Sequence, residues 1–206
     1  MPAKSVPDIV VARLPLYLRA LAAMHASGKV FTSSQEMAGW LGISSAQIRK
    51  DLSHFGEFGK QGTGYSVTGL QEKLRGILNI EHDWPIVIIG AGHIGNAVAN
   101  YSGFAHRGFR VCAVFDSAPG KIGLRIGQHI VQDVAELPQI VQEQGVRLAM
   151  IAVPADAAQA VTDLVTSAGI VAILNYAPIK VTVPDSVRVE NIDPVLHLQH
   201  MTYYLS

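Results

Sequence analysis

The spacing of apolar residues changes near residue 80 of the 206-residue chain. Residues 13–26 carry apolar side chains three or four positions apart and are followed by Gly28, which predicts a first helix. In contrast, residues 86–89 and 111–115 are apolar throughout, as in the strands of a parallel sheet that is buried on both faces. The change of pattern predicts a small helical domain followed by an α/β domain.

Two serines mark the starts of two further helices in the first part of the chain. Ser33 with Glu36, and Ser44 with Gln47, have the spacing of capping boxes, and Gly42 separates the two segments. Two short capped helices joined at a glycine predict a helix-turn-helix.

The second of these helices has a polar face suited to DNA. Ile48, Leu52 and Phe55 share one side, so the polar residues project outward near the helix N-terminus, where a recognition helix meets base edges. Arg49 is the best candidate for a contact with guanine, and Lys50 for a base or a phosphate. The alternative is a solvated helix face. The candidate DNA-binding residues here are Ser44, Gln47, Arg49, Lys50 and Ser53.

A glycine-rich segment at residues 56–67 follows and predicts a β-hairpin wing. Lys60 and Gln61 at its tip are placed to reach the minor groove or a phosphate, unless the segment is an ordinary exposed loop. Thr68 is the expected cap of a helix that runs through Ile80. A winged helix fits this whole part of the chain.

Charge divides at the same place as the apolar pattern. Residues 1–80 hold nine Lys and Arg against five Asp and Glu, whereas residues 81–206 hold seven against eleven. The smaller half therefore suits a polyanion such as DNA, and the larger half does not.

A glycine motif, GAGHIG at residues 90–95, lies directly behind the first apolar strand, and Asp116 closes the second. In this context Gly90 permits the turn, Gly92 lets the backbone approach a pyrophosphate, and Gly95 lets the helix pack on its strand. A carboxylate at Asp116 accepts hydrogen bonds from a ribose and repels a 2'-phosphate, so NAD(H) is favoured over NADP(H). The alternative is a Rossmann-like domain for another nucleotide, such as coenzyme A.

Other candidate cofactor residues follow later strands. Lys121 lies in a loop and is either a phosphate or adenine contact or a solvated lysine. Ligands of open α/β sheets bind beyond the carboxyl ends of the strands, which brings the turns at 153–155 and 175–178 near the cofactor unless they only link elements. The candidate cofactor residues are Gly90, Ala91, Gly92, His93, Ile94, Gly95, Asp116, Lys121, Val153, Pro154, Asn175, Ala177 and Pro178.

The remaining features bound the cellular setting. The single cysteine, Cys112, has no disulfide partner, so a cytoplasmic protein is expected. No apolar run is long enough for a membrane span, and no metal site is expected although His197 and His200 lie one turn apart.

Asp193 and Pro194 open a last helix that is apolar on more than one side, which suits a partner surface.

Several segments together resemble the Rex family of redox-sensing transcriptional repressors. They are RLPLY at 13–17, AQIRKDL at 46–52, GEFGK at 56–60, GTGY at 62–65, AVPA at 152–155 and ILNYAP at 173–178. The match covers nearly the whole chain in the same order. It departs at Gln61, where the family usually has arginine, and after Asp116, where Ser117, Ala118 and Pro119 replace residues that are often acidic.

The resemblance implies a homodimer in which C-terminal helices swap between subunits and NADH closes the dimer. Closure releases a palindromic operator, whereas NAD+ competes weakly, and genes of fermentation and respiration are derepressed. Tyr101, expected on the helix after the glycine motif, matches a tyrosine that senses the nicotinamide, and plain packing is its alternative. Arg19 and Asp193 match an inter-subunit contact that switches with it, and Arg13 joins the DNA-binding candidates.

The predicted organisation is a winged helix-turn-helix domain at residues 1–80, a linker at 81–85, a Rossmann domain with a doubly wound parallel sheet at 86–192 and a swapped dimerisation helix at 193–206. The competing function is an NAD-dependent oxidoreductase with a regulatory winged helix. Residues 81–206 leave no second domain for a substrate, so we expect a non-enzymatic repressor.

Overall fold

A computed structural model describes residues 6–59, 64–104 and 106–205. The chain divides into two compact units, Met1–Glu81 and His82–Ser206. The boundary between the units lies between Glu81 and His82, and the first strand of the second unit begins at Trp84.

Unit 1 is a small helical unit with a two-stranded antiparallel sheet. Its core is formed by α1, α2, α3 and α4, with Leu14, Tyr17 and Leu21 of α1 at the centre. The elements in chain order are α1 Asp8–Ala26, β1 Phe31–Thr32, α2 Ser34–Leu41, α3 Ser45–Ser53, β2 Tyr65–Ser66 and α4 Val67–Ile77.

The first helix is longer than the sequence pattern predicts. It begins at Asp8 after an N-cap at Pro7, so Pro15 lies inside the helix rather than near its first turn. Pro15 has no N–H to donate, yet the helix continues because Leu14, Tyr17 and Leu21 are completely buried around it. Tertiary packing therefore outweighs the local cost of the proline.

The helix-turn-helix is confirmed, with one difference in its caps. The Ser33 and Ser44 hydroxyls accept hydrogen bonds from the Glu36 and Gln47 amides, and Gly42 ends α2 in the left-handed conformation. The reciprocal half of each predicted capping box is replaced. Glu36 accepts from Thr32 and Lys29, and the Gln47 amide donates to Asp51.

The strand of the glycine-rich segment pairs with an element that the sequence pattern did not predict. Phe31 and Thr32 of β1 pair with Ser66 and Tyr65 of β2, whereas Phe58 is not in a strand. The expected tip residues Lys60 and Gln61 lie outside the described residues. Ser66, not Thr68, caps α4 by accepting from the Gly69 amide, and α4 ends at Ile77 rather than Ile80.

Unit 2 contains a seven-stranded sheet in the order β5-β6-β4-β3-β7-β8-β9. All neighbours run parallel except β5, which forms an antiparallel hairpin with β6. The elements are β3 Trp84–Ile89, α5 His93–Ala99, β4 Phe109–Asp116, β5 Arg125–Ile126, β6 His129–Asp133, α6 Leu137–Gln144, β7 Leu148–Ile151, α7 Ala155–Ser167, β8 Ala172–Asn175, β9 Arg188–Asn191 and α8 Pro194–Thr202.

Apart from β5, the strand order is that of a doubly wound Rossmann sheet, which confirms the predicted fold class. Alternate residues of β3 enter opposite cores: Val87 and Ile89 pack with α6 and α7, and Ile86 and Ile88 pack on the face of α5. The order reverses between β3 and β7, so a crevice opens at their carboxyl ends.

Three regions of unit 2 differ from the sequence pattern. Residues 117–128 lead through the hairpin of β5 into β6, and the sequence pattern predicts neither strand. The sequence pattern predicts a helix over 134–144, which begins as a 3-10 turn at Val134–Glu136 before α6 starts at Leu137. It also predicts a strand over 186–190, whereas β9 begins at Arg188.

Helix α8 is capped as predicted, because the Asp193 carboxylate accepts from the Val195 amide and Pro194 follows it. A 3-10 turn at Tyr203–Leu205 extends it. No side chain of α8 is buried within the chain. Its exposed apolar residues are Val195, Leu196, Leu198 and Met201, followed by Tyr203, Tyr204 and Leu205.

One sequence-based expectation about membranes needs correction. The sequence predicts no apolar segment long enough to span a membrane, but α1 begins at Asp8 and is longer than predicted. By length and composition alone it could cross a membrane. Four of its apolar side chains are part of the core of unit 1, namely Leu14, Tyr17, Leu21 and Met24. Among the residues that the structure describes, no three His, Cys, Asp or Glu side chains are grouped as metal ligands.

Candidate functional site

A cleft of about 750 Å³ lies at the carboxyl ends of the central strands of unit 2. Nine of the predicted cofactor residues line it: Gly90, Gly92, His93, Ile94, Asp116, Lys121, Val153, Pro154 and Pro178. The sequence pattern brings these residues together from four different loops because all four follow parallel strands of one sheet.

The glycine loop is shaped by close backbone contacts. Gly90 has φ +105°, and a Cβ there would collide with the Ala152 carbonyl of the neighbouring loop. A Cβ at Gly95 would collide with the Gly90 carbonyl. At Gly92 a Cβ would meet no atom within 4 Å, so this glycine leaves open space in the cleft. The loop therefore offers room at the position where the motif expects a pyrophosphate.

The carboxylate of Asp116 is almost buried at the end of β4 and accepts three hydrogen bonds. The donors are the Ala91 amide at 2.8 Å, the Ala118 amide at 2.9 Å and the Lys121 ammonium at 2.9 Å. Burial by itself raises the pKa of Asp116, but the two amides and Lys121 outweigh it and hold the pKa below its ordinary value. Asp116 is therefore a stable anion beside the glycine loop.

Lys121 thus has a partner that the sequence did not assign to it. Its side chain is 42% exposed and forms an ion pair with Asp116 rather than extending into solvent. A carboxylate accepts about four hydrogen bonds, so three donors leave room for only one more. A ribose diol that uses both hydroxyls at Asp116 must displace one of these donors, of which Lys121 is the only side chain.

An apolar stripe of α7 also lines the cleft. Its residues were not among the predicted site residues. Its members are Ala157, Ala160, Val161 and Leu164. They follow the helical spacing of three and four, a signal that sequence reading assigns to a core. Tyr176 also lines the cleft, and burial raises the pKa of its phenol.

Asn175 does not line the cleft but organises the loop that does. It is fully buried, and its amide group donates to the Ala177 and Ile179 carbonyls and to the Asn191 side chain. Its oxygen accepts from the Ala177 amide at 3.0 Å. The protein makes four hydrogen bonds with this side chain, so Asn175 and Ala177 shape the loop that presents Pro178.

Tyr101 does not line this cleft. It follows the end of α5 instead of lying on it, and its ring is 52% exposed and packs edge-on against Phe104. It lines a second cavity of about 420 Å³ together with Phe109 at the start of β4. The helix carries the chain from the carboxyl edge of the sheet to the amino edge, which separates Tyr101 from the glycine loop.

The polar face of α3 in unit 1 contains the DNA-binding candidates. Ser44, Arg49, Lys50 and Ser53 are exposed, and Gln47 is half-buried. The Arg49 guanidinium donates to the Ser34 hydroxyl of α2 at 2.9 Å. Ser34 is buried, so this bond directs the arginine across the junction of the two helices.

Two of the DNA-binding candidates bind a carboxylate that sequence reasoning missed. Asp51 of α3 is completely buried and accepts from Arg13 at 2.6 and 2.8 Å, from the Tyr17 hydroxyl at 2.5 Å and from Gln47 at 2.7 Å. Burial raises the pKa of Asp51, but these donors outweigh it and lower the pKa below its ordinary value. The pKa of Tyr17 is raised by burial and by the neighbouring carboxylate.

The signal for this cluster was present in the sequence. Ile48, Asp51, Leu52 and Phe55 have the spacing of one helix face, which places the aspartate inside an otherwise apolar stripe. Arg13 and Tyr17 lie one turn apart on α1. Of the expected switch residues, Arg19 is exposed on α1 and Asp193 caps α8, each within its own unit.

Two family models match different parts of the chain. The model described as "Putative DNA-binding protein N-terminus" matches residues 5–53, and the model described as "CoA binding domain" matches residues 81–179. They divide the chain between the two units.

Curated relatives match almost the whole chain. The redox-sensing transcriptional repressor Rex of Roseiflexus sp. (strain RS-1) is 50% identical over 200 residues, which are 97% of this chain and 91% of the relative. The Rex of Streptomyces coelicolor (strain ATCC BAA-471 / A3(2) / M145) is 44% identical over 201 residues, which are 98% of this chain and 78% of the relative.

Solved structures agree with this relationship. RSP in complex with β-NAD+ and operator DNA has a TM-score of 0.92 and 37% identity, with 97% of this chain and 92% of RSP covered. RSP in complex with β-NADH has a TM-score of 0.88 and 35% identity, with 98% and 95% covered. RSP alone is described as a Rex-family repressor. The two-unit fold, the cleft and the sequence identity together show that this chain belongs to the Rex family of redox-sensing transcriptional repressors.

Proposed function

We propose that this protein is a dimeric DNA-binding repressor that senses the NADH/NAD+ ratio. The observation that carries the proposal is the presence, in one chain, of an exposed basic α3 in a helix-turn-helix and a glycine-loop cleft closed by an anionic Asp116. Relatives named Rex, and RSP structures with operator DNA, β-NAD+ and β-NADH, support it.

In unit 1, α3 enters the major groove of a palindromic operator. Arg49 and Lys50 are the only Lys and Arg residues of α3, and both are exposed. Arg49 provides paired donors for guanine, and Lys50 contacts a base or a phosphate. Ser44 and Ser53 flank them as hydrogen-bonding groups for the DNA backbone. Lys60 and Gln61 remain candidates for the wing contact, on a segment outside the described residues.

In unit 2, the cleft binds a dinucleotide. Gly90 and Gly92 admit the pyrophosphate, and Asp116 accepts from the adenosine ribose and repels a 2'-phosphate. Lys121 leaves Asp116 when the ribose arrives. The nicotinamide lies between the apolar stripe of α7 and the loop at Pro178. His93 opens α5 at the mouth of the cleft and is exposed.

Sensing follows from differential binding in a dimer. NADH shifts the equilibrium between two dimer arrangements only as far as it prefers the one that does not fit the operator. The apolar residues of α8 supply the surface between subunits, and Arg19 and Asp193 are the proposed switching contact. Tyr101 does not line the cleft of its own chain, so a role in sensing nicotinamide requires the cleft of the second subunit.

We infer that the protein does not turn over its dinucleotide and acts in the cytoplasm. The titratable side chains that line the described cleft are Asp116, Lys121, His93 and Tyr176. Asp116 and Lys121 form an ion pair at the end of the cleft assigned to the adenosine ribose, so neither is placed for proton transfer at the nicotinamide. A steady-state NADH oxidation assay across carbonyl substrates tests this point, and measurable turnover would favour the oxidoreductase alternative.

The decisive experiment is fluorescence anisotropy of a labelled palindromic duplex, selected from a random library by the protein, at a stated salt concentration. NADH titrated into the complex is expected to release the DNA, whereas NAD+ and NADPH leave it bound. Thermodynamic reciprocity also requires the duplex to weaken NADH binding by the same factor. Equal NADH affinity with and without the duplex would refute the sensing mechanism.

A second ligand deserves a direct test because one family model is described as a CoA binding domain. Coenzyme A is titrated against the fluorescence of bound NADH. The proposal expects no displacement at concentrations where NAD+ competes. Displacement by coenzyme A that also releases the duplex would identify a different sensed ligand.

A further inference from the structure

A buried carboxylate joins α1 to the recognition helix. Asp51 of α3 receives both prongs of the Arg13 guanidinium, the Tyr17 hydroxyl and the Gln47 amide, at 2.5 to 2.8 Å. Arg13 and Tyr17 belong to α1, and Gln47 lies one turn before Asp51 on α3. We refer to these four residues as the Asp51 clamp.

The clamp is poorly explained by stability alone. Burying an ion pair costs desolvation that its attraction barely repays, and apolar replacements of similar volume are often equally stable or more so. The neighbouring contacts of Ile48 and Leu52 already hold α3 on the core. Those apolar contacts are non-directional, whereas a two-pronged guanidinium–carboxylate pair fixes both orientation and register.

The clamp is also next to the groups that read DNA. Lys50 directly precedes Asp51 in the sequence, and Arg49 precedes Lys50. A small rotation of α3 about its axis would leave Ile48 and Leu52 buried but would displace both basic side chains. Binding groups need to be held within about 0.5 Å of their productive geometry. The clamp supplies this constraint on the face of α3 that points away from DNA.

The Arg13 guanidinium is therefore already paired with a carboxylate inside unit 1. Its side chain is only 19% exposed, and its charge is neutralised by a carboxylate at 2.6 Å. A neutralised cation releases little counterion from DNA. This observation argues against the sequence-based expectation that Arg13 is itself a DNA contact.

We propose that Asp51 and Arg13 are positioning residues for operator recognition, which act by fixing the rotation and register of α3 on α1. Tyr17 and Gln47 complete the constraint, and Gln47 is held by its amide nitrogen so that its oxygen stays available as an acceptor. The proposal rests on the DNA-binding function proposed above.

The test compares operator affinity and its salt dependence across variants of the full chain. The probe is the labelled duplex selected by the unchanged protein, measured by anisotropy over a series of salt concentrations. Arg13→Lys keeps the positive charge but loses the planar fork. It is expected to lower affinity at least tenfold with an unchanged slope of log K against log salt, and Asp51→Asn is expected to do the same.

A direct phosphate contact by Arg13 gives a different result. Arg13→Lys would then bind nearly as well as the unchanged protein, and Arg13→Ala would reduce the slope by about 0.9. The double variant Arg13→Ala/Asp51→Asn would be weaker than either single variant. Under the positioning proposal the double variant is no weaker than Arg13→Ala, because both changes remove the same constraint.

Loss of folding is separated from loss of positioning by an apolar replacement. The pair Arg13→Met/Asp51→Leu removes the clamp without leaving a buried unpaired charge, but the buried Tyr17 hydroxyl loses its acceptor, so the protein is expected to fold with a modestly lower thermal unfolding temperature. Its operator affinity is still expected to fall at least tenfold. Tyr17→Phe removes only the hydrogen bond to Asp51 and keeps the aromatic ring in the core. It is expected to weaken operator binding severalfold. This variant provides a second test if the Arg13→Met/Asp51→Leu pair is unstable.

Normal operator binding by the apolar pair, or by Tyr17→Phe if that pair does not fold, would overturn the positioning role. The outcome is distinguishable from failure of the proposed function, because in that case the unchanged protein itself would select and bind no duplex. NADH binding in unit 2 serves as the matched control and is expected to stay within twofold in every variant.

Discussion

The side chain of Asn175 donates a hydrogen bond to the side chain of Asn191 at 3.0 Å, at the carboxyl ends of two neighbouring parallel strands. The Ile192 amide returns a bond to the Asn175 carbonyl at 2.8 Å. Asn175 thus connects the loop at the cleft with the segment that leads into the Asp193 cap of α8. Within unit 2, these bonds form a direct link between the candidate ligand site and the candidate dimer helix.

Asn175→Ala is expected to destabilise unit 2 and weaken NADH binding. The change removes four hydrogen bonds of a buried side chain, and each contributes about 0.5–1.5 kcal/mol to stability. The measurements are urea unfolding and NADH titration by fluorescence. Asn191→Ala removes one of these bonds only and is the matched control, with a smaller loss in both. Identical stability of the two variants would contradict the role of Asn175 as organiser of the loop.

Selection between NADH and NADPH is expected to depend on Asp116 and Lys121 together. Asp116→Ala removes the repulsion of a 2'-phosphate and frees Lys121 to bind it, so NADPH affinity should rise while NADH affinity falls. The double variant Asp116→Ala/Lys121→Ala should lose the gain for NADPH. Competitive fluorescence titration measures both ligands. Unchanged selectivity in Asp116→Ala would assign discrimination to another part of the cleft.

Alanine substitutions at two glycines of the loop are expected to have different effects on folding and NADH binding. Gly90→Ala places a methyl group against the Ala152 carbonyl at a φ of +105°, so both folding and binding should suffer, with a loss of stability of at least about 1 kcal/mol. Gly92→Ala meets no protein atom within 4 Å and should fold normally. It should nevertheless weaken NADH binding at least tenfold, because the methyl group fills the space for the pyrophosphate. Thermal unfolding and NADH titration separate the two cases.

Arg49→Ala is expected to weaken operator binding by about 1–3 kcal/mol and to relax sequence preference at one position of each half-site. The measurement is competition between the selected duplex and single-base variants. Ser34→Ala removes the bond that directs Arg49 across α2 and α3, and it should produce a smaller loss with the same change of preference. Loss of affinity without any change of preference would identify Arg49 as a phosphate contact instead.

The stability of unit 1 is expected to fall in acid because of Asp51. Its pKa lies below the ordinary value in the folded state, so its contribution is complete above the unfolded pKa near about 4 and is lost as the pH falls through the folded pKa. Chemical unfolding between pH 7 and pH 2 should show this decline. Asp51→Asn should have a shallower acid dependence, and an equal dependence would place the titrating group elsewhere.

The sequence predicts most of the dinucleotide cleft because its signals are local. A glycine motif between an apolar strand and a helix, with an acid closing the next strand, fixes Gly90, Gly92 and Asp116 to one edge of a parallel sheet. The partners of Asp116 and Asn175 were not predictable in the same way. Lys121 and Asn191 reach them through tertiary contacts that no short spacing encodes.

The same holds for the recognition helix, whose position is predictable from local sequence but whose side-chain partners are not. Capping serines and apolar spacing locate α3, but they do not show that Gln47 and Arg13 donate to Asp51 rather than to DNA. The pairing of β1 with β2 was also missed, because each strand is only two residues long. Strand patterns need about four residues or more to be recognised.

The burial of Asp51 has a consequence for how the protein searches a genome. A carboxylate exposed on a recognition helix repels the phosphate backbone at every encounter, whatever the base sequence. Enclosed on the inner face of α3 and matched by Arg13, this charge adds little to the outward field, to which Arg49 and Lys50 contribute the helix's positive charge. The outer face of α3 therefore stays attractive to the phosphates of random DNA, which favours sliding. The Asp51 carboxylate remains on the inner face, where it fixes the position of the helix.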